Sequence, residues 1–78
     1  MTFSEQLRII VRLHQLIKRK GTGTPERLAF RLNLSRASTF RYINEMKSLG
    51  APIQYCRFKQ TYYYERQFEL DVLMHSAN

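Results

Sequence analysis

The sequence predicts one mainly α-helical domain that ends in a small β hairpin. Three observations predict this fold class. Apolar residues recur at helical spacing in three segments. Glycine and proline lie between the first two segments and directly after the third, and the residues after Pro52 alternate at a spacing of two. A chain of 78 residues has room for one hydrophobic core, and its 44% hydrophobic and 24% charged residues are typical of a globular domain.

The first helix is predicted from Ser4 to Lys20. Thr2, followed three residues later by Glu5, has the spacing of a capping box, and Ser4 is the competing cap. Gly21 follows a basic last turn and is expected to end the helix. The expected buried stripe consists of Ile9, Ile10, Leu13, Leu16 and Ile17.

Two further helices are predicted on either side of a very short connection. Thr24 and Pro25 give a cap followed by proline at the first helical position, and Asn33 is the expected left-handed cap at the end of this second helix. Ser35 then caps a third helix over residues 36–49, and helices joined so closely form a helix-turn-helix. The third helix is expected to bury Thr39, Ile43, Met46 and Leu49.

A β hairpin is predicted after the third helix. Ile53 to Phe58 alternates as the first strand, and Thr61 to Tyr64 is rich in aromatic residues that favour β structure. The turn over residues 58–60 lacks the usual glycine. The domain is therefore predicted to occupy residues 1–66.

Residues 67–78 are predicted to form an acidic, partly apolar C-terminal extension. Its apolar residues alternate at a spacing of two, and they are Phe68, Leu70, Val72 and Met74. This alternation favours a further strand, which either joins the hairpin or pairs with a second subunit to give a homodimer. A docked or disordered terminus is the alternative.

The chain is strongly basic. Thirteen Lys and Arg residues against six Asp and Glu residues give a formal charge of +7, and the isoelectric point is about 10.1. So large an excess on so small a surface indicates a polyanionic partner. Charge alone does not choose among DNA, RNA and an anionic membrane.

Residue types and spacing argue against an enzyme and against a metal or cofactor site. Cys56 is the single cysteine, and neither His14 nor His75 has a second ligand at metal spacing. No Ser/His/Asp or paired-carboxylate arrangement stands out. One cysteine favours a reducing environment, and without a signal peptide or an apolar run of about 20 residues we expect a cytoplasmic protein with no membrane partner.

A longer pattern runs through the second helix, the third helix and the first strand. It reads, loosely, T-x-E-x-L-A-x-x-L-x-[VI]-S-x-x-T-[VI]-x-R-x-[IL], followed by a glycine and P-I. The matching residues are Thr24, Leu28, Ala29, Leu32, Leu34, Ser35, Arg36, Arg41, Ile43, Met46, Gly50, Pro52, Ile53 and Tyr55. Over about residues 7–64 the chain thus resembles the winged helix-turn-helix domain at the N-termini of bacterial DeoR-like, biotin-repressor-like and WYL-domain regulators.

The resemblance implies a mainly α fold with a small β-wing that binds double-stranded DNA. It is closest to stand-alone small bacterial proteins of this type, for which we expect a role in transcription regulation without a small-molecule effector. Two positions depart from the pattern. Thr39 stands where the family often has valine or isoleucine, and Phe40 where it often has a charged residue.

Candidate base contacts follow from the place of the third helix in such a fold. The N-terminal part of a recognition helix enters the major groove first, which selects Arg36, Ala37, Ser38 and Arg41. An arginine can donate two hydrogen bonds to guanine. Ala37 is small enough to allow close approach or to contact a thymine methyl group.

Candidate phosphate contacts surround these positions. Thr24 and Ser35 are first of all helix caps, and the same helix starts can also contact phosphate. Phosphate contacts orient a protein on DNA without reading its sequence. Tyr42 is expected to contact phosphate through its hydroxyl. The other expected phosphate contacts are Arg57, Lys59, Gln60 and Thr61 on the wing, with Thr22 and Arg27 on the other side of the groove.

Two other functions stay open at this point. The domain could be a protein–protein interaction module that docks through its first helix or its apolar extension. It could also bind single-stranded nucleic acid by stacking bases on the aromatic residues of the hairpin. Alternating tyrosines on a small sheet more often serve in packing, which favours duplex DNA over single strands.

Overall fold

Three helices and a two-stranded antiparallel hairpin make up the described part of the chain. The structure is a computed structural model, and it describes residues 2–70. The elements are α1 (Phe3–Lys18), α2 (Pro25–Leu32), α3 (Arg36–Ser48), β1 (Ile53–Cys56) and β2 (Thr61–Tyr64). The predicted class, mainly α with a small β element, is confirmed, and each predicted helix and hairpin strand is present.

Each helix begins at a hydroxyl side chain that accepts a hydrogen bond from a backbone N–H three residues later. The pairs are Thr2 with Glu5 (3.2 Å), Thr24 with Arg27 (3.2 Å) and Ser35 with Ser38 (3.0 Å). These bonds satisfy donors that have no partner within the helix. The three predicted caps are confirmed, and α1 begins at Phe3 because Thr2 and not Ser4 is its cap.

The helices end where the backbone turns left-handed. α1 ends at Lys18, two residues earlier than predicted, because Lys20 adopts a left-handed conformation (φ 56°) and the Gly21 N–H donates to the carbonyl of Leu16 (2.9 Å). This bond closes the helix end in the manner of a Schellman motif. Asn33 is left-handed at the end of α2 (φ 56°), as predicted.

One hydrophobic core lies among the three helices and the hairpin. Each element contributes apolar side chains from one face only, which leaves the opposite faces to solvent. The buried core residues are Leu13, Leu16, Ile17, Leu28, Leu32, Tyr42, Ile43, Met46, Ala51, Ile53, Tyr62 and Phe68. Ile9 and Ile10, predicted to be buried, lie at the edge of this core and are half-buried.

The predicted burial of Leu49 is wrong. α3 ends at Ser48, and Leu49 is the capping residue, with 63% of its surface exposed. Gly50 (φ 105°) then turns the chain toward β1. Helical spacing places a side chain on the buried face only while the helix continues, so the last apolar residue of the stripe falls outside it.

β1 and β2 pair in antiparallel register, with Ile53 opposite Tyr64 and Cys56 opposite Thr61. β1 ends two residues earlier than predicted because the turn takes the four residues 57–60. Gln60 supplies the left-handed residue of this turn (φ 53°), a conformation that glycine usually provides.

A buried cluster of hydroxyl and backbone groups joins the α1–α2 connection to β2. Thr22 is fully buried, and its Oγ1 accepts a hydrogen bond from the N–H of Tyr62 (2.8 Å). The Thr22 N–H donates in turn to Oγ1 of Thr61 (3.2 Å), and the Thr22 hydroxyl donates to the carbonyl of Gly23 (2.9 Å). These bonds fix the second strand of the hairpin against the α1–α2 connection. Because Thr22 and Thr61 are both buried here, the phosphate contacts expected of them are wrong.

The chain after β2 packs on α1. The buried ring of Phe68 lies 6.2 Å from the ring of His14 and 5.1 Å from that of Tyr64, and the Tyr64 hydroxyl is 2.8 Å from His14 Nδ1. Glu69 lies 2.6 Å from Lys18 Nζ and 3.6 Å from His14 Nε2. The hydrogen bond from Lys18 lowers the pKa of the Glu69 carboxyl below its ordinary value.

The expected further strand is not formed by those of its residues that the structure describes. Phe68 and Leu70 lie outside the sheet, and both pack against the core. Val72 and Met74, the rest of that prediction, lie outside the described residues. Phe68 is buried because its ring packs on α1. A side chain can make such a contact without belonging to a strand, so the apolar spacing was not evidence of a strand here.

Removing the Thr22 hydroxyl should destabilise the protein. Thr22→Val leaves the buried N–H of Tyr62 without its acceptor, and an unsatisfied buried donor costs about 2 kcal/mol. Thr22→Ser keeps the hydroxyl and is the matched control. We expect urea denaturation to show that Thr22→Val lowers the free energy of unfolding by this amount and that Thr22→Ser lowers it much less. An equal loss in the two variants would contradict the role given to the hydroxyl.

Alkaline pH should unfold the protein as the half-buried Tyr64 and the buried Tyr62 ionise. Burial raises the pKa of Tyr64, with the nearby Glu69 carboxylate adding to the effect, and burial also raises the pKa of Tyr62. The folded state therefore holds these protons more tightly than the unfolded chain, in which a tyrosine ionises at about pH 10. The contribution of these groups to stability is complete below about pH 10 and is lost above it.

The measurement is the near-ultraviolet absorbance of tyrosinate, followed with helix content during an alkaline titration. We expect the absorbance of Tyr64, obtained as the difference between wild type and Tyr64→Phe, to rise together with unfolding. A difference signal that rises while the helices are still intact would contradict this prediction.

Candidate nucleic-acid interface

The N-terminal half of α3 presents one polar face to solvent. Thr39 and Ile43 are buried on the opposite side of the helix, and this packing turns Ala37 and Arg41 outward, where both are exposed. Arg36, also exposed, and Ser38, half-buried, flank them. The four predicted base contacts therefore lie in the first two turns of α3.

Arg36 has two neighbours that sequence reasoning missed. Its Nη1 lies 3.2 Å from Oε1 of Glu26 at the start of α2, and its guanidinium lies 5.6 Å from the ring centroid of Phe40. Both partners of the ion pair are exposed, and such a pair contributes only about 0–1 kcal/mol. The pair places Arg36 over the corner between α2 and α3. Because the pair is weak, Arg36 can exchange Glu26 for another partner at little cost in free energy.

The two neighbours of Arg36 differ in how far the sequence could reveal them. Phe40 follows Arg36 by four residues, a spacing at which helical side chains are neighbours. Glu26 is ten residues earlier, and only the packing of α2 against α3 brings it close. The first contact therefore had a signal in the sequence, and the second had none.

The starts of α2 and α3 are held by their caps. The hydroxyls of Thr24 and Ser35 accept backbone hydrogen bonds within the protein, and the Ser35 carbonyl accepts one from the buried hydroxyl of Thr39 (2.9 Å). The structural part of both predictions is thus confirmed. Ser35 is exposed and Thr24 is half-buried, so a phosphate could approach either helix start.

Tyr42 does not lie with the other predicted contacts. Only 7% of its surface is exposed, and it belongs to the hydrophobic core. Its position on α3, one residue after Arg41, turns it toward α1. The ring of Tyr42 therefore contributes packing, and the phosphate contact expected of its hydroxyl stays a prediction.

The tip of the hairpin carries a second basic surface. Arg57, Lys59 and Gln60 are exposed in the turn, and the Lys59 N–H donates a hydrogen bond to Cys56 Sγ (3.3 Å). Phe58 lies between the two basic residues with 94% of its surface exposed. The sequence placed Phe58 at the end of a strand and gave no sign that its ring would project into solvent.

The tyrosines of the hairpin pack together. The rings of Tyr55 and Tyr62 lie 4.8 Å apart at 60°, and Tyr62 is buried. Tyr63 and Tyr64 are half-buried, and Tyr64 faces His14. A stacking platform for bases requires exposed rings, so this arrangement favours packing.

Residues 2–70 bring no three His, Cys, Asp or Glu side chains together in a way that could hold a metal ion. The helices of this part of the chain also include none that is long and apolar enough to cross a membrane.

The chain matches no protein-family model, no curated protein and no solved structure. The resemblance to winged helix-turn-helix regulators therefore stays a prediction. The features of the described residues that bear on function are two basic surfaces, one at the start of α3 and one at the hairpin tip.

The cap at Ser35 should be needed for stability. Ser35→Ala removes the acceptor for the Ser38 N–H, and loss of such a cap costs about 1 kcal/mol. Ser35→Asn keeps an acceptor at the same place and is the matched control. We expect thermal unfolding to occur at a lower temperature for alanine and near the wild-type temperature for asparagine, and equal stability of all three proteins would contradict the structural role.

Proposed function

We propose that this chain is a winged helix-turn-helix protein that binds double-stranded DNA. In this proposal α3 enters the major groove, and the hairpin acts as the wing beside it. The observation that carries the proposal is the exposed side of the first two turns of α3. It bears two arginines and a small residue, in a chain of formal charge +7.

Each side chain on that face has a role that suits its chemistry. Arg41 extends from the middle of the face and can donate two hydrogen bonds to the N7 and O6 of guanine. Ala37 lets the helix approach closely, and its methyl group can contact that of thymine. Ser38 can donate to or accept from either kind of base edge.

Arg36 acts by exchanging partners. Its ion pair with Glu26 is exposed, so replacing the carboxylate by a phosphate oxygen or a guanine edge costs little. While DNA is absent, Glu26 keeps the guanidinium near the position from which it would bind. A carboxylate at this corner would also repel phosphates that approach in the wrong register.

The remaining contacts orient the protein on the duplex. Arg57, Lys59 and Gln60 at the hairpin tip would contact phosphates beside the groove that α3 occupies. The starts of α2 and α3, at the half-buried Thr24 and the exposed Ser35, would meet the DNA backbone on the other side of the groove. Such a protein would regulate transcription by occupying its site, and we expect it to act in the cytoplasm of a bacterium.

The test is duplex-DNA affinity measured by fluorescence anisotropy across a series of salt concentrations. A pool of random-sequence duplexes is the first probe, since electrostatic binding does not need the specific site. We compare the wild type with Arg36→Ala/Arg41→Ala. The control is Lys47→Ala, which removes an exposed charge from the last turn of the same helix.

We expect the double variant to bind about tenfold more weakly or worse. Its plot of log affinity against log salt should also be shallower by about 1 for each phosphate contact that is lost. Lys47→Ala should retain most of the affinity. Equal weakening by the control and the double variant would move the contacts away from the start of α3.

Failure to bind duplex DNA at low salt would overturn the proposal and favour the alternative in which the domain is a protein-interaction module.

Competition by single-stranded DNA and by RNA tests the other alternative, in which the protein binds single-stranded nucleic acid. We expect duplex DNA to compete best, because the hairpin tyrosines pack together. Stronger competition by single strands would instead favour base stacking on the hairpin.

A further inference from the structure

The side chain of Phe58 projects from the tip of the hairpin. The strands end with Cys56 opposite Thr61, and the four residues 57–60 form the turn between them. Phe58 is the second residue of this turn, and 94% of its surface is exposed. Among the described residues no large apolar side chain is more exposed. An apolar ring in this position contributes nothing to the core, so folding alone does not account for a phenylalanine here.

The backbone beneath this ring is held in place. The Lys59 N–H donates a hydrogen bond to Cys56 Sγ (3.3 Å), and Gln60 adopts a left-handed conformation (φ 53°). The next residue, Thr61, is buried, and its Oγ1 accepts a hydrogen bond from the N–H of Thr22 (3.2 Å). The tip thus projects from a fixed base, and little conformational entropy of the backbone is lost when the ring binds a ligand.

The hairpin borders the corner between α2 and α3, where the predicted base contacts begin. The rings of Tyr55 and Tyr62, which pair across the two strands, lie 4.8 Å apart. Burial raises the pKa of Tyr62, as does the neighbouring Tyr55, and the charges of Arg36 and Glu26 act on the same phenol. The strand that leads away from the tip therefore lies beside the start of α3, which allows one duplex to meet both basic surfaces.

Cations flank the ring of Phe58 on both sides. Arg57 and Lys59 are exposed, and within residues 2–70 neither takes part in an ion pair. No Asp or Glu occurs in residues 51–64, so no carboxylate of the hairpin itself competes for these cations. An apolar ring between two such cations suits a partner that carries anionic groups on either side of an apolar surface.

The minor groove of DNA has this arrangement. The groove is about 6 Å wide, phosphates line both of its edges, and the faces of the base pairs between them are apolar. Proteins that bind there insert phenylalanine, leucine or other apolar side chains between base pairs and partly unstack one step. An anionic membrane also combines charge with an apolar interior. One phenyl ring, however, is smaller than the single myristoyl chain that gives only marginal membrane binding, so the tip favours DNA.

We propose that Phe58 is an apolar wedge that enters the minor groove of bound duplex DNA and partly separates two neighbouring base pairs. In this arrangement Arg57 and Lys59 contact phosphates on the two edges of the groove, and α3 occupies the major groove beside it. The inference rests on the proposed DNA binding, and it extends the role of the hairpin tip from phosphate contact to deformation of the duplex. Because the cost of opening a base step depends on its sequence, the wedge selects among steps without a hydrogen bond to any base.

The test uses a short duplex of alternating thymine and adenine in which 2-aminopurine replaces several adenines. Steps from pyrimidine to purine unstack most easily, and the repeat offers such a step to the wedge in every register. 2-Aminopurine fluoresces more strongly when it is unstacked, so its emission reports the separation of bases. The anisotropy of a dye at the end of the duplex reports binding.

Four proteins are compared on this duplex. Phe58→Ala removes the wedge from the wild type, and Phe58→Leu keeps an apolar side chain at the same place. Phe3→Ala is the matched control, because Phe3 is a phenylalanine with 78% of its surface exposed at the start of α1. Circular dichroism checks that the helices are intact in each protein.

We expect binding of the wild type to raise the emission of 2-aminopurine. Phe58→Ala should bind about tenfold more weakly and should give no rise even when the duplex is saturated. Phe58→Leu should keep much of the rise, because leucine also serves as a wedge. Phe3→Ala should behave as the wild type.

A series of salt concentrations separates the ring from the cations beside it. An apolar contact releases no counterions, so Phe58→Ala should lower the affinity by the same factor at every salt concentration. Lys59→Ala should instead make the plot of log affinity against log salt shallower by about 1. A shallower plot for Phe58→Ala would overturn the proposal, because the substitution would then act through the phosphate contacts.

The remaining outcomes distinguish the wedge from DNA binding itself. A wild type that does not bind duplex DNA would overturn the proposed function and the wedge with it. A wild type that binds without a rise in emission, or a Phe58→Ala variant that gives the same rise, would overturn the wedge alone. If Phe58→Ala left DNA binding intact and abolished sedimentation with vesicles of phosphatidylcholine and phosphatidylserine, the wedge would be overturned and the tip assigned to an anionic membrane.

Discussion

The hydrogen bonds around Thr22 couple the helical part of the chain to the hairpin. Thr22 lies between α1 and α2, yet its hydroxyl is the acceptor for a backbone N–H of β2, forty residues later. A buried N–H without an acceptor is expensive, so this single oxygen determines where β2 can lie. Once β2 is placed, β1 follows through the antiparallel register, and Ile53 and Tyr62 close the core.

This arrangement decides which surfaces stay open. The core takes one side of α3, at Thr39, Ile43 and Met46, and the exposed side of the same helix carries Arg41. The hairpin tip is left free because only the base of the hairpin enters the core. The same packing thus leaves two basic surfaces exposed, and neither surface includes a residue of the hydrophobic core. The charged side chains of these surfaces can therefore be changed without removing a core side chain.

The contacts of α1 with the chain after β2 centre on a polar side chain, that of His14. His14 is nearly buried, yet its ring is accompanied by a phenol, an aromatic ring and a carboxylate, from Tyr64, Phe68 and Glu69. A polar ring in such a place is acceptable because its nitrogen atoms have hydrogen-bonding or charged neighbours. These contacts hold residues 68–69 on α1.

The sequence by itself determined the order of the elements, their caps and the basic charge. Local rules govern these features: Thr2, Thr24 and Ser35 cap within three residues, and helical spacing identifies the buried side of α3. Local rules failed at Leu49 and at the expected strand that includes Phe68. Only the tertiary structure decided that Arg36 meets Glu26, that Thr22 meets Thr61, and that Glu69 meets Lys18. Such pairs join residues far apart in the chain, and their contact depends on how whole elements pack, for which no periodicity or spacing in the sequence gives a signal.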